Sequence, residues 1–525
     1  MKFLCKILPA ALLFVCSCSR MDSPLSTADI RSGGSVSHDM IVLGSRLEDP
    51  YTVENMSKAL FSLYPTKAGR GNLETTDLYV RFLPSGQEDC DLLESLGVEI
   101  IDHPLDYEIV REGDYYHDST IPDDQMTWQY AVVKPDFKFP QGIPHEIIDE
   151  CYLVENASPA TKASLGDVDW AEVERESYRL TGNERLLSDG VKGSYAPTAP
   201  KGRITIVDEI KGEQGVAGVR VQCNSFIKFA NCFTDDDGNY QMSRTYTTDV
   251  RYRLVFKNKK GFCLGLNLLF VPASMSTLGK SGPEGIDARI TSASDRRLFC
   301  RSVVNNVAYE YYNRCKENGY SIKTPPANLR IWLFQLMSSS SAPMLQQGAV
   351  VDNSILSDFL GEYLILVKLF LPDITLGMKG CDNYDIIYNS TIHELAHASH
   401  FMQAGIPYWD KYCRYILTSF ITSGFTTYGL GTERDHGYCE VGEMWAYYLS
   451  SRFNRDRYST LANFGSTYWF SPQILMYLDE RGIDRFKIFK ALTPDVTDKD
   501  LLQEKLIELY PGSRSLINQA FDRYE

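Results

Sequence analysis

The segment that most restricts this chain is Asp382 to Ala404, a run without glycine or proline that contains Thr391-Ile392-His393-Glu394-Leu395-Ala396-His397-Ala398-Ser399-His400. Such a run predicts a helix, with Asp382 or Asn383 able to cap its start and Gly405, then Pro407, stopping it. Residues four apart share a helix face, so His393 and His397 can present their imidazoles to one metal ion. Zinc accepts nitrogen ligands at about 2.0–2.1 Å, and a catalytic site keeps one position for water. Glu394, beside His393, is placed to act on that water as general base. The chain has only eight histidines, and three of them fall in this stretch. A metal centre accounts for that grouping better than a set of solvated side chains does.

Two protein ligands are too few for a usual catalytic zinc, so a third must come from elsewhere. His400 lies two turns beyond His393, too far along the axis to share the ion. It borders the substrate, supports a ligand, or is an incidental polar residue. The position six residues after His397 is Gln403, which excludes the metzincin pattern. The remaining source is Glu440-Val441-Gly442-Glu443-Met444-Trp445-Ala446-Tyr447-Tyr448. This segment resembles the second helix of gluzincin-type HExxH metallopeptidases. The resemblance implies His393, His397 and Glu443 as ligands of Zn2+, with Glu394 catalytic. Glu440, one turn earlier, stays a rival third ligand or a support for a ligand histidine. Tyr447 stands four residues after Glu443, where thermolysin-type enzymes carry an aspartate. His436, Tyr438 and Tyr447 are candidates, by proximity alone, for donating to a developing oxyanion. The resemblance also implies a mainly helical α+β, zincin-like domain over residues 263–525. In such a fold a strand beside the motif helix aligns a peptide by its edge, and Asp373 to Gly377 is suitably placed.

The first eighteen residues read as an export signal. Lys2 and Lys6 precede a short apolar run, Ile7 to Val15, far below the ~20 residues that a membrane-crossing helix needs. Val15-Cys16-Ser17-Cys18 resembles a bacterial lipobox, which implies cleavage before Cys18 and a lipid on Cys18 that holds the protein at a membrane. Residues 19–45 are rich in Ser, Asp and Gly and read as a tether. Export permits disulfides among the ten cysteines that remain. They lack a CxxC pair, and Cys223 could face Cys232 across a hairpin.

Residues 46–155 form a small α/β accessory domain. Helical spacing runs from Val53 to Leu63, a strand is expected from Leu78 to Leu83, a helix from Glu88 to Leu96, and a second strand from Val98 to Ile101. Residues 156–200 read as a linker with one short helix, Asp169 to Thr181, ended by Gly182. Over 201–262, short alternating stretches predict an antiparallel β-sandwich. The segments are Arg203–Val207, Gly218–Gln222, Phe233–Tyr240 and Tyr252–Phe256. Thr234 to Tyr240 resembles the T-D-x-x-G-x-Y segment of transthyretin-like carboxypeptidase-regulatory modules, in which the aspartates serve the turn. Beyond residue 263, helices are expected at Cys300–Asn318 and Ile355–Phe370, with strands at Asn328–Gln335 and Pro372–Gly377.

A net charge of −15 argues against nucleic acid as a partner. The reading is therefore an exported, lipid-anchored zinc metallopeptidase of the cell envelope that acts on a peptide or protein substrate. Two alternatives stand beside it: a non-catalytic binding lipoprotein on the same scaffold, and a zinc hydrolase of a non-peptide amide.

Overall fold

Alternating apolar and polar residues separated by Asp-Gly turns build paired sheets in the middle of the chain. The computed structural model describes residues 40–68, 73–113, 115–122, 125–187, 197–265, 273–317, 319–335, 337–349, 372–422, 428–460, 464 and 468–524. The architecture is multidomain: several sheets are followed by a C-terminal helical region. The export signal with Cys18, most of the tether and the expected helix Ile355–Phe370 lie outside the described residues. None of the described helices is long and apolar enough to cross a membrane.

In the N-terminal region, Val53–Leu63 is a helix whose first turn is capped by the Thr52 hydroxyl, which accepts from the Asn55 amide at 3.1 Å. Its buried Met56, Ala59 and Leu60 pack with Val173 of the helix Trp170–Leu180. That second helix starts at its Asp169 cap and stops before Gly182, whose φ of 70° suits glycine. Residues 156–187 are thus packed onto the α/β unit. The strand expected from Leu78 to Leu83 runs Asp77–Phe82 and is the middle of a three-stranded antiparallel sheet, between Gln129–Val133 and His145–Cys151. Because those two segments occupy both of its edges, Val98–Ile101 forms no strand. Ile101 alone makes a bridge, to Tyr130.

Two sheets make up the middle of the chain. One has Lys201–Asp208 bonded to Asn239–Gln241, Gly212–Gly215 and Ala288–Ile290. The other runs in the order Ile374–Gly377, Arg330–Phe334, Cys263–Gly265, Val250–Asn258, Val219–Ser225, Lys228–Phe233, with Met275–Ser281 also on Val250–Asn258. The sheet therefore continues past residue 262. It is antiparallel up to Cys263–Gly265 and parallel from there through Arg330–Phe334 to Ile374–Gly377. The motif helix packs on Ile374–Gly377. Ile204, Val221, Ile331, Ile374, Leu395 and Trp445 belong to one apolar core.

Turn chemistry fixes the Thr234–Tyr240 segment. The Asp235 carboxylate accepts from the amides of Asp237 at 3.0 Å and Asn239 at 2.8 Å. Gly238 has a φ of 81°, and a methyl there would lie 2.0 Å from the Ile204 carbonyl oxygen. Asp236 instead reaches outward to Tyr309 and Lys259. The hairpin register pairs Cys223 with Ala230 and Cys232 with Val221, so the two thiols do not face one another. Both are free, and Cys223 Sγ lies 3.7 Å from the Tyr246 hydroxyl.

Four helices frame the C-terminal region. Arg296–Arg314 starts earlier than the sequence pattern suggests, because Asp295 caps it by accepting from Leu298 at 2.9 Å. The motif helix spans Tyr384–Ala404, the connecting helix Ile406–Thr422, and the glutamate helix His436–Tyr458.

Candidate metal centre

The motif helix is buried along most of its length. Its apolar residues do not form a single stripe because three neighbours surround it: Arg296–Arg314, the connecting helix and the glutamate helix. Gly405, with φ 83°, ends it and donates to the Phe401 carbonyl at 2.8 Å. The chain then turns directly into the connecting helix, which carries Tyr408, Trp409 and Tyr412 back against the histidines. On the glutamate helix, Trp445 Nε1 donates to the Ala396 carbonyl at 3.0 Å, and Ala446 is fully buried. That bond ties the two functional helices together.

These contacts bring His393, His397 and Glu443 into one buried group whose ligand atoms all lie within 4.8 Å of one another. His393 Nε2 is 3.4 Å from one Glu443 oxygen, and His397 Nε2 is 3.5 Å from the other. The imidazoles meet edge to face, 4.9 Å between centroids. The group can hold a metal ion. Its chemistry agrees: two imidazoles and one carboxylate are a donor set seen at catalytic zinc. A further sign of fit is that both buried Glu394 oxygens have no hydrogen-bond partner in the protein.

Electrostatics favour ligand forms of these side chains. Burial pushes the His393 pKa down against the pull of Glu443, so the ring is neutral, as a ligand must be. Burial alone would raise the Glu443 pKa, but the charge of His397 and hydrogen bonds from His393 and His397 hold its carboxyl well below the usual range. Glu394 moves the other way: burial, then the Glu443 charge, raises its proton affinity strongly.

Glu440, the rival, is placed elsewhere. Its carboxylate accepts from the Lys499 amide at 3.0 Å, at the start of the helix Lys499–Leu509. His400 is buried between Tyr408 and Trp409, at ring-centroid distances of 5.0 and 5.7 Å. Burial and the neighbouring His397 depress its pKa to about 3. Among the three oxyanion candidates, Tyr447 reaches a ligand, its ring edge-on to His393 at 4.5 Å. The Tyr447 hydroxyl pairs with that of Tyr428 at 2.7 Å. His436 Nδ1 lies 2.9 Å from the Glu433 carbonyl oxygen, and the Tyr438 hydroxyl accepts from Lys411 at 3.0 Å.

Sequence reasoning missed Tyr412. Its hydroxyl donates to Glu443 at 2.6 Å and lies 3.5 Å from His397 Nε2. Gly442 makes room for it: a methyl there would come within 3.1 and 3.3 Å of two Tyr412 ring carbons. The available signals were Tyr408, Trp409 and Tyr412 clustered just after the Gly405 stop, and a glycine immediately before the ligand glutamate.

The expected substrate edge is covered. Ile374–Gly377 is the last strand of its sheet, but Thr375 exchanges backbone hydrogen bonds with Ser341 at 2.9 and 2.8 Å. Met344 and Leu345 donate to the carbonyls of Asp373 and Pro372 at 3.0 and 3.1 Å. The chain's own residues 341–345 thus hold the place that an aligned peptide would take.

No protein-family model matches the chain, and no curated protein matches it. Among solved structures, a 9R-lipoxygenase from Cyanothece PCC8801 is similar over 30% of this chain and 31% of that one, at 10% identity and a TM-score of 0.11.

Proposed function

We propose that this protein is an exported, lipid-anchored zinc hydrolase that cleaves peptide bonds. One observation carries the reading: His393, His397 and Glu443 converge from two helices while Glu394, next in sequence to His393, is buried with both oxygens free of protein partners. His393, His397 and Glu443 would hold the ion. Zinc bound there supplies Lewis-acid polarisation and makes water a nucleophile at neutral pH. Glu394, buried beside His393, would serve there as the general base, moving a proton at its carboxylate. The Tyr447–Tyr428 pair lies beside His393 and fixes its ring.

The covered edge of Ile374–Gly377 favours a second reading, hydrolysis of a compact non-peptide amide that needs no strand pairing. One experiment tests the class and separates the two readings. Elemental analysis of the purified protein and of His393→Ala and Glu443→Ala should show near-stoichiometric zinc that falls sharply in both variants. Glu394→Gln should keep its zinc and lose turnover by about 10²–10⁴-fold, the usual contribution of a general base. Peptide libraries and an amide panel then decide the substrate. A wild-type protein that takes up no zinc when it is supplied would overturn the proposal.

A further inference from the structure

The N-terminal α/β unit and the large sheet line a half-open cavity of about 310 Å³, and none of His393, Glu394, His397 and Glu443 is among its lining residues. That volume is at the small end of the ~300–1,000 Å³ typical of ligand pockets. One wall comes from the helix Gln87–Ser95 and the residues that follow it, the other from neighbouring strands of the sheet.

Three features of the lining define what fits. The charged residues are balanced: Asp91, Glu94 and Glu99 on the N-terminal side face Arg220, Lys257 and Arg330 on the sheet. Arg330 pairs with Asp91 at 2.9 Å, Arg220 with Glu99 at 3.7 Å, and Lys257 with Glu94. Next, the apolar lining is aliphatic, from Val98, Ile100, Val255, Ala273 and Met275, with no aromatic ring for a sugar to stack on. Finally, the wall seals in polar atoms that lack partners: Nε of Arg220 and of Arg330, and the amide oxygens of Gln222 and Gln346. A buried polar atom without a partner is costly, so the wall gains by turning these atoms onto a ligand that both accepts and donates.

The geometry points to a binding site for a small zwitterion, a free α-amino acid or dipeptide with an aliphatic side chain. Its carboxylate would take the guanidinium donors of Arg220 and Arg330. Its ammonium would take Glu94, Glu99 and the glutamine oxygens, and its side chain would lie on the aliphatic residues. A net-neutral lining excludes a strongly charged ligand such as a nucleotide. Because the ligand would bridge the α/β unit and the sheet, binding should also raise the thermal midpoint. The inference stands apart from the metal centre.

Titration calorimetry of the full protein with L-leucine and leucyl-leucine tests it, with N-acetyl-leucinamide and isovalerate as probes lacking one or both charges. At least one zwitterion should bind, and the probes should bind about tenfold more weakly or worse, as should the zwitterion to Arg220→Gln. Lys257→Met, at a partly exposed position, serves as the second variant should Arg220→Gln unfold. His393→Ala should bind as the wild type does. The proposal falls if neither zwitterion binds at about 10 mM, if the uncharged probe binds equally well, or if His393→Ala abolishes binding, which would place the ligand at the metal centre.

Discussion

Tyr412→Phe removes a single oxygen and leaves the aromatic ring in the groove beside Gly442. That oxygen carries a buried hydrogen bond of 2.6 Å to Glu443. Bonds to charged groups contribute about 1.5–3 kcal/mol. At about 1.4 kcal/mol per factor of ten, this corresponds to roughly 10–100-fold in zinc affinity. The same range is typical for loss of a group that orients a metal ligand, about 10–100-fold. The sign follows from the geometry. Without the hydroxyl the Glu443 carboxylate gains rotational freedom, and that freedom must be lost again when the ion binds. The assay is zinc competition against a chromogenic chelator at fixed pH, with the far-ultraviolet circular dichroism spectrum as a check on folding. Affinity within about twofold of wild type in a correctly folded variant would show that Tyr412 does not orient Glu443. The reasoning would then fail at that bond.

Further outcomes follow from neighbouring residues. Gly442→Ala places a methyl 3.1 Å from the Tyr412 ring, so it should displace that ring and weaken zinc binding in the same chelator assay. Glu440→Ala should retain zinc but lose about 1.5–3 kcal/mol of stability in urea unfolding, because its carboxylate accepts from the Lys499 amide in the first turn of the Lys499–Leu509 helix. Loss of zinc instead would return Glu440 to the ligand set. His103 is buried, with Nδ1 2.8 Å from the Asp102 carboxylate and Nε2 2.9 Å from Arg253. Burial, then the charge of Arg253, lowers its pKa from the ordinary 6.5. Its stabilisation is therefore present above pH 6.5 and is lost as pH falls below that value. His103→Gln should flatten the decline in thermal midpoint between neutral and mildly acidic pH, and an unchanged slope would refute this.

Local elements were legible where local chemistry decides them. Asp169 and Gly405 mark helix ends, and each acts as a cap or stop through hydrogen bonds within a few residues. Asp77–Phe82 was readable as a strand for the same reason, since its alternation is contained in its own sequence. Its partners were not readable. Gln129–Val133 and His145–Cys151 lie some fifty residues or more away in the chain, and nothing local marks either as a neighbour rather than Val98–Ile101. The junction near residue 262 was obscure because Cys263–Gly265 is only three residues long. Periodicity cannot register so short a strand, yet it is the piece that joins the antiparallel sandwich to the parallel strands under the helices.

The metal group shows the same division between what spacing carries and what packing carries. His393 and His397 are related by one turn of one helix, so their convergence is written in the sequence. Glu443 and Glu440 are also one turn apart, but the choice between them depends on how the glutamate helix is rotated against its neighbours. Trp445 on Ala396 and Tyr412 against Gly442 fix that rotation, with Glu443 inward and Glu440 toward Lys499. All four anchoring residues are small or aromatic, which sequence reading treats as plain core. The covered strand edge extends the argument to substrate. Because residues 341–345 already pair with Ile374–Gly377, the proposed hydrolysis of a peptide would need binding by side-chain contacts alone or release of that segment. The backbone bonds at Thr375, Asp373 and Pro372 are what such a release would break, so the segment 341–345, rather than the metal ligands, is where substrate length would be decided.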